Sequence, residues 1–487
     1  MSGVLEGYEP KSVLHFFEKI CSMPHGSGNT AMISDWIVAF AKERGLGFTQ
    51  DIHGNVIIRK PASEGYENVP GMILQGHMDM VAVQTEKSPI DMEKDGLQLA
   101  VDGDFIYAKE TSLGGDDGIA VAYMLAILDD ETMAHPALEM VFTTDEEIGL
   151  QGISKMDVSS LKGKKLLNLD TEDEGILVAG CAGGKKAICS LPVTFTPVAG
   201  NCYKIQISGL LGGHSGMEIH KERGNANLLL ARVLYEIRKE CDFGLVNMQG
   251  GEKDNAIPNF AQAVIQTEAS PIQLSQMIDE LQQMLQKELT GKDDGIQLDF
   301  RQIAQEETVW VKQDCAVSGK KLDAILLCML MNPNGVQAMS SSIEDTVETS
   351  LNCGIMKLRD DDFLVRYALR SSVRSAKAYL FDRINTFVQS LGGTVDTEGD
   401  YPPWEYQTDS TFREQVMAVY EQMYGKTMEV QVIHAGLECG YLSEQLPGLD
   451  CVSMGPDMKN IHTTNEKLSI SSVKRVWEFI VELLKQK

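Results

Sequence analysis

Three short apolar runs each end on residues that carry chemistry, and this repetition constrains the fold more than any other feature. Met72-Ile73-Leu74-Gln75-Gly76 leads into His77-Met78-Asp79. Met140-Val141-Phe142-Thr143-Thr144 leads into Asp145-Glu146-Glu147, and Leu166-Leu167-Asn168-Leu169 into Asp170-Thr171-Glu172-Asp173. Between the first two, Gly114-Gly115-Asp116-Asp117-Gly118 opens a helix over 117–129 with almost no polar face until its end. Short apolar runs bounded by polar clusters read as buried strands. Alternating with helices such as one over 36–44, they predict a mostly parallel α/β sheet. In an open parallel sheet the carboxyl ends of the strands converge on the ligand crevice. Four separate segments would then bring one imidazole and several carboxylates to one edge.

The middle of the chain has a different texture. A strand over 202–208 ends in a glycine cluster, Gly209, Gly212, Gly213 and Gly216, and a helix over 224–240 follows. Beyond it the pattern predicts strands over 261–267, 296–303, 356–358 and 364–369, with helices over 271–289, 321–331 and 376–390. That order suits an α+β domain of its own. From Phe412 the α/β texture returns, with helices over 412–424 and 470–484 and strands over 429–433 and 450–453. A length of 487 residues is itself more than one core normally holds. The expected organisation is one α/β domain made of residues 1–188 and 401–487, with residues 189–400 inserted.

Composition excludes several classes of function. The 43 Lys and Arg face 70 Asp and Glu, a net charge of −27 that opposes binding to nucleic acid or to an anionic membrane surface. Hydrophobic residues make up 43%, which is globular rather than disordered. The first ten residues lack the basic and apolar regions of a secretory signal. The longest apolar stretch, 119–128, is half of the roughly 20 residues a bilayer span needs. Ten scattered cysteines without a CxxC read as reduced thiols of a cytoplasmic protein.

A cluster of carboxylates needs compensation, because several ionised groups desolvated together repel strongly. Either most are protonated or a multivalent cation sits among them. His with Asp and Glu, and no Cys, suits zinc, manganese or cobalt. No HExxH is present, so the site is not a zincin helix. A further imidazole, His462, lies far downstream in the polar loop Lys459-Asn460-Ile461-His462-Thr463-Thr464-Asn465-Glu466. If the chain ends form one domain, His462 can close the cluster.

Taken in order, His77-x-Asp79, Gly-Asp116-Asp117, Glu146-Glu147, Asp170 and His462 resemble the co-catalytic dizinc aminopeptidase and carboxypeptidase superfamily. That superfamily includes aminoacylase, carboxypeptidase G, peptidase T and carnosinase. Within it the chain is most similar to the aminoacyl-histidine (Xaa-His) dipeptidase branch. The likeness runs through Gln75-Gly76-His77-Met78-Asp79-Met80-Val81, Leu113-Gly114-Gly115-Asp116-Asp117-Gly118-Ile119, Thr144-Asp145-Glu146-Glu147-Ile148-Gly149 and Ile433-His434-Ala435-Gly436-Leu437-Glu438-Cys439-Gly440. The resemblance implies a phosphorylase/hydrolase-like α/β catalytic domain with an inserted α+β lid that also dimerises. It implies two divalent metal ions, zinc before manganese or cobalt, bridged by Asp116. One would be held by His77 and Asp170, the other by Glu147 and His462. Two ions about 3.5–4 Å apart would share a hydroxide and polarise the scissile carbonyl. Glu146 would take the proton of that water and return it to the leaving amine. Asp79 would hydrogen-bond His77 and fix its tautomer.

For the substrate, the resemblance points to Arg370 as the grip on a C-terminal carboxylate, a task suited to a guanidinium fork. Asn255 matches an asparagine near the substrate. His214, in Gly212-Gly213-His214-Ser215-Gly216, matches a lid histidine that stabilises the oxyanion, across the interface in dimeric relatives. His434 and Glu438 are expected to line the pocket and meet the amine or an imidazole. The implied protein is a cytoplasmic, homodimeric dipeptidase acting on unblocked dipeptides, Xaa-His and β-alanyl-histidine among them. A tripeptide aminopeptidase, an N-acyl amino acid deacylase and a non-catalytic metal-binding scaffold are the competing readings.

Overall fold

Ten consecutive residues, from Ile119 to Leu128, are all buried. They belong to the helix Gly115–Asp129, which is apolar on every side because it is covered on every side. Helix Lys11–Cys21 packs on it through Phe17 and Ile20, which lie 3.4 and 3.6 Å from where a Cβ on Gly118 would stand. Gly76 makes room on the other side, since a Cβ there would stand 2.6 Å from both Ala120 Cβ and Asp117 Oδ2. Burying each large aliphatic side chain contributes about 1.5–3 kcal/mol, so this helix is the anchor of its core. The computed structural model in which these contacts are seen describes residues 3–303 and 315–487.

The chain divides into two compact units. The first comprises Met1–Cys181, Trp404–Val432 and Leu437–Lys487. Its sheet has eight strands, with Leu138–Thr143, Met72–His77, Lys165–Asn168 and Asp450–Ser453 adjacent at the centre. These four run parallel: Leu74 faces Met140 and Leu167, and Val452 faces Leu167. The flanks differ from the expectation of a mostly parallel sheet. Gly47–Gln50 and Val56–Lys60 form a hairpin, Val56–Lys60 runs antiparallel to Leu138–Thr143, and Ile176–Cys181 meets Asp450–Ser453 antiparallel. A small antiparallel sheet of Leu99–Asp102, Phe105–Ala108, Lys467–Ser469 and Met458–Lys459 stands apart from it.

The second unit comprises Ala182–Pro403 and Ile433–Gly436. An antiparallel sheet of eleven strands carries the helices Ala226–Glu240, Pro271–Glu288, Gly319–Met331 and Arg374–Ser390. Its strands alternate in burial, as a sheet packed on one face must: Ala187, Cys189 and Leu191 in one strand and Tyr203, Ile205 and Ile207 in another are buried. The strands expected over 356–358 and 364–369 are the inner parts of a long hairpin, Val347–Leu358 with Asp362–Ser371. Its outer part carries Thr349, Ser350 and Asn352, polar residues that are nonetheless buried.

Candidate metal centre

The parallel strands deliver their polar ends to one place. His77 is the last residue of Met72–His77, the Glu146-Glu147 turn follows Leu138–Thr143, and Asp170 follows Lys165–Asn168. Asp116 sits at the head of the buried helix, where φ −83° and ψ 106° take it out of helical geometry. Its two oxygens are divided between two imidazoles: Oδ1 lies 3.1 Å from His77 Nε2 and Oδ2 lies 3.0 Å from His462 Nε2. Asp170 Oδ1 stands 3.8 Å from His77 Nε2, and Glu147 Oε1 stands 2.7 Å from His462 Nε2. Two donor sets result, His77–Asp116–Asp170 and Asp116–Glu147–His462, each with its ligand atoms within 4.8 Å of one another. A third set, His77–Glu146–Glu147, overlaps them.

The electrostatics of the cluster suit bound cations. Burial pushes the Asp170 carboxyl well above the usual range, with Asp116, Glu172 and Glu438 adding to the rise. Burial does the same to Glu146, beside Asp170, Glu147 and Glu438. His462 is raised to about 11 by its bonds to Asp116 and Glu147. Burial opposes ionisation of His77 and Asp116, yet their mutual hydrogen bond raises the imidazole and, together with His462, holds Asp116 low. The Glu147 carboxylate stands 2.7 Å from the same imidazole nitrogen that meets Asp116, so one nitrogen and two carboxylates crowd one point. Donors converging so closely are what a shared cation would satisfy. The donor set therefore fits a pair of divalent ions.

The surrounding groups hold this arrangement. His77 Nδ1 is 2.9 Å from the carbonyl oxygen of Asp79, while the Asp79 carboxylate stands 3.5 Å away. The Asp79 main chain and side chain thus both face the His77 ring. The Asp79 carboxylate also accepts from Ser27 Oγ (2.8 Å), Glu146 N (3.0 Å) and Glu147 N (3.4 Å), and so fixes the turn that carries both glutamates. Backbone strain collects here as well: Asp145 and His462 have φ of 55° and 60°, in the left-handed region unusual for side-chain-bearing residues. Glu438 is 0% exposed, and its Oε2 accepts from Thr143 Oγ1 (2.5 Å) and from Gln75 Nε2, so it braces two central strands, while its Oε1 is buried without a hydrogen-bond partner among the described residues. Burial lifts its carboxyl to about 7.

The remaining expected residues lie in the second unit, where four of them form a neighbourhood of their own. His214 pairs with Ala256 across a two-stranded bridge, next to Asn255, whose carbonyl accepts from Ser215 N at 2.9 Å. Met217 N donates to His214 Nδ1 at 3.1 Å, so the ring proton is on Nε2. Burial and the Arg370 charge lower the His214 pKa, and they take His434 down to about 3. Both shifts favour the neutral ring. Ser350 Oγ lies 2.7 Å from His434 Nε2, while Arg370 Nε is buried without a hydrogen-bond partner among the described residues. Ser27 and Ser350, which bond to Asp79 and His434, were not legible as site residues. Each acts through a hydrogen bond across the fold, and nothing in its local sequence marks that.

Residues 73–486 match Peptidase family M20/M25/M40. The chain is 35% identical over 485 residues to the cytosol non-specific dipeptidase of Escherichia coli (strain K12), covering 99% of each. The crystal structure of aminoacylhistidine dipeptidase from Vibrio alginolyticus superposes with a TM-score of 0.91 at 34% identity, over 99% of this chain and 97% of that one. A tripeptidase from Staphylococcus aureus shares the fold at 16% identity and a TM-score of 0.55, over 98% of both chains. With the family matched over most of its length and a relative above 30% identity end to end, the chain belongs to peptidase family M20/M25/M40.

Proposed function

We propose that this M20 peptidase is a dinuclear metal-dependent dipeptidase of unblocked dipeptides, Xaa-His and β-alanyl-histidine among them. The observation that carries the reading is Asp116, one carboxylate shared between two three-residue donor sets. Full-length similarity to two dipeptidases supports the substrate class. His77 and Asp170 would hold one ion, Glu147 and His462 the other, and Asp116 both. When bound, two divalent ions, zinc or else manganese or cobalt, polarise a scissile carbonyl and make water acidic at neutral pH.

The chain's own residues do the rest. Glu146 would take a proton from the attacking water and deliver it to the leaving amine, a shuttle that needs a carboxylate free of other partners. Asp79 would keep that carboxylate in place through the Glu146 and Glu147 amides, and would set the His77 tautomer through its carbonyl. Arg370 would bind the substrate's terminal carboxylate and His214 Nε2–H the developing oxyanion, with Asn255 beside it and His434 meeting an amine or imidazole. The inserted segment would serve as lid and dimerisation domain of a cytoplasmic homodimer.

Chelation should abolish hydrolysis of Gly-His, and zinc, manganese or cobalt should restore it. Glu146→Gln should keep its metal and turn over at least about 10²-fold more slowly. Near-normal turnover in that variant removes Glu146 from the role of base. A preference for a tripeptide or an acetylated amino acid over Gly-His overturns the dipeptidase reading.

A further inference from the structure

Glu466 is only 3% exposed, and among the described residues its carboxylate pairs with no Lys, Arg or His side chain. It is filled instead by the backbone of one turn. Oε2 accepts from Leu113 N at 2.8 Å and Gly114 N at 3.1 Å. Oε1 accepts from Gly115 N at 2.8 Å and lies 3.5 Å from Asp116 N. Successive amides pointing inward make an anion-binding concavity. Here the chain occupies it with a side chain of its own.

The two glycines make this possible. Gly114 has φ 67°, and a Cβ on it would stand 2.7 Å from Met80 Sδ. A Cβ on Gly115 would stand 3.3 Å from Glu466 Oε1. Glu466 is tied to its own loop as well: its N–H donates to Thr463 O at 3.2 Å, and Thr463 Oγ1 donates to Asn460 O at 2.7 Å. That loop is the turn that holds His462 at positive φ. One side chain therefore joins the turn of Asp116 to the turn of His462, two donors far apart in sequence.

We infer that Glu466 is a positioning residue for the dinuclear centre, holding Asp116 and His462 in mutual register before any ion arrives. The inference rests on the metal reading above. Glutamine has the same shape but turns an NH₂ toward some of the amides that the carboxylate satisfied, so it loosens the turn without emptying the space.

The test is titration of chelator-stripped wild type and Glu466→Gln with zinc by calorimetry, and with cobalt followed by its absorption spectrum. Wild type should bind two ions per chain, and Glu466→Gln should bind them about 10–100-fold more weakly, with an altered cobalt spectrum. An unchanged affinity and spectrum, with only a lower melting temperature, makes Glu466 a structural brace and overturns the inference alone. Wild type that takes up no ions overturns the metal reading and the inference with it. If Glu466→Gln does not fold, hydrogen exchange on metal-free wild type decides: the amides of residues 113–115 should be strongly protected, and exchange at open-chain rates overturns the proposal.

Discussion

Gly216 has no room for a side chain. A Cβ there would stand 2.7 Å from His434 O, 3.0 Å from His214 Cε1 and 3.2 Å from Arg370 Nε, so three candidate recognition residues meet across one missing methyl group. Gly216→Ala should leave the sheet of its unit intact but push these groups apart, an overpacking cost of about 1–3 kcal/mol. Small misplacements at a reacting site cost about 10²-fold. The expected outcome is a kcat/KM for Gly-His lower by about 10- to 100-fold with a melting temperature within a few degrees of wild type. Unchanged kcat/KM would show that this neighbourhood takes no part in turnover. The same scale shows what a sequence can reveal. His77, Asp116, Glu147 and Asp170 were legible because each interrupts or ends an apolar run. Glu466 was not, because its partners are backbone amides more than 300 residues away, which no side-chain pattern records.

At the scale of elements, the four central strands and the buried helix were legible to within two residues, since a fully buried element is apolar throughout. The strands Gly183–Pro192 and Gly244–Gly250 escaped because they mix Lys, Gln, Asn and Gly among their apolar residues, and the hairpin Leu99–Asp102 with Phe105–Ala108 because its strands are only 4 residues each. That hairpin is joined to the last helix by one side chain. Asp104 accepts from Ser469 Oγ (2.6 Å), Ser471 Oγ (2.7 Å) and Ser471 N (3.0 Å) at the start of Ile470–Leu484. Slight burial raises its pKa, but these bonds and the Arg475 charge outweigh it and leave the carboxyl below its ordinary value. A carboxylate at a helix N-terminus typically contributes about 0.5–2 kcal/mol. With the folded pKa depressed, this stability is present above the unfolded value and is lost as pH falls through the folded one. Asp104→Asn should therefore melt lower than wild type at pH 7, and the gap should close as pH falls below the ordinary carboxyl range of about 4. Melts at stepped pH that show a constant gap would sink the electrostatic account.

At the scale of the whole molecule, the −27 charge and the two units lead to one expectation. All five candidate metal ligands, Glu146 and Asp79 lie in the unit of Met1–Cys181, Trp404–Val432 and Leu437–Lys487. Each unit has its own hydrophobic core. A ligand stabilises only what binds it, by RT ln(1 + [L]/Kd), which is about 4 kcal/mol at a thousand-fold excess over Kd. Removing the ions also restores repulsion among Asp116, Glu147 and Asp170, which burial magnifies because the low local dielectric screens it less. Chelation should therefore raise hydrogen exchange in peptides spanning residues 72–79, 113–129, 143–150 and 456–470. Peptides from the hairpin Val347–Leu358 with Asp362–Ser371 should exchange as before, since its protection rests on packing against Ala187, Cys189, Tyr203 and the helices of its own unit. Readdition of zinc should reverse the change. Equal deprotection of the hairpin would mean that the metal stabilises the chain as one cooperative body, and the division into two separately cored units would then have no energetic meaning.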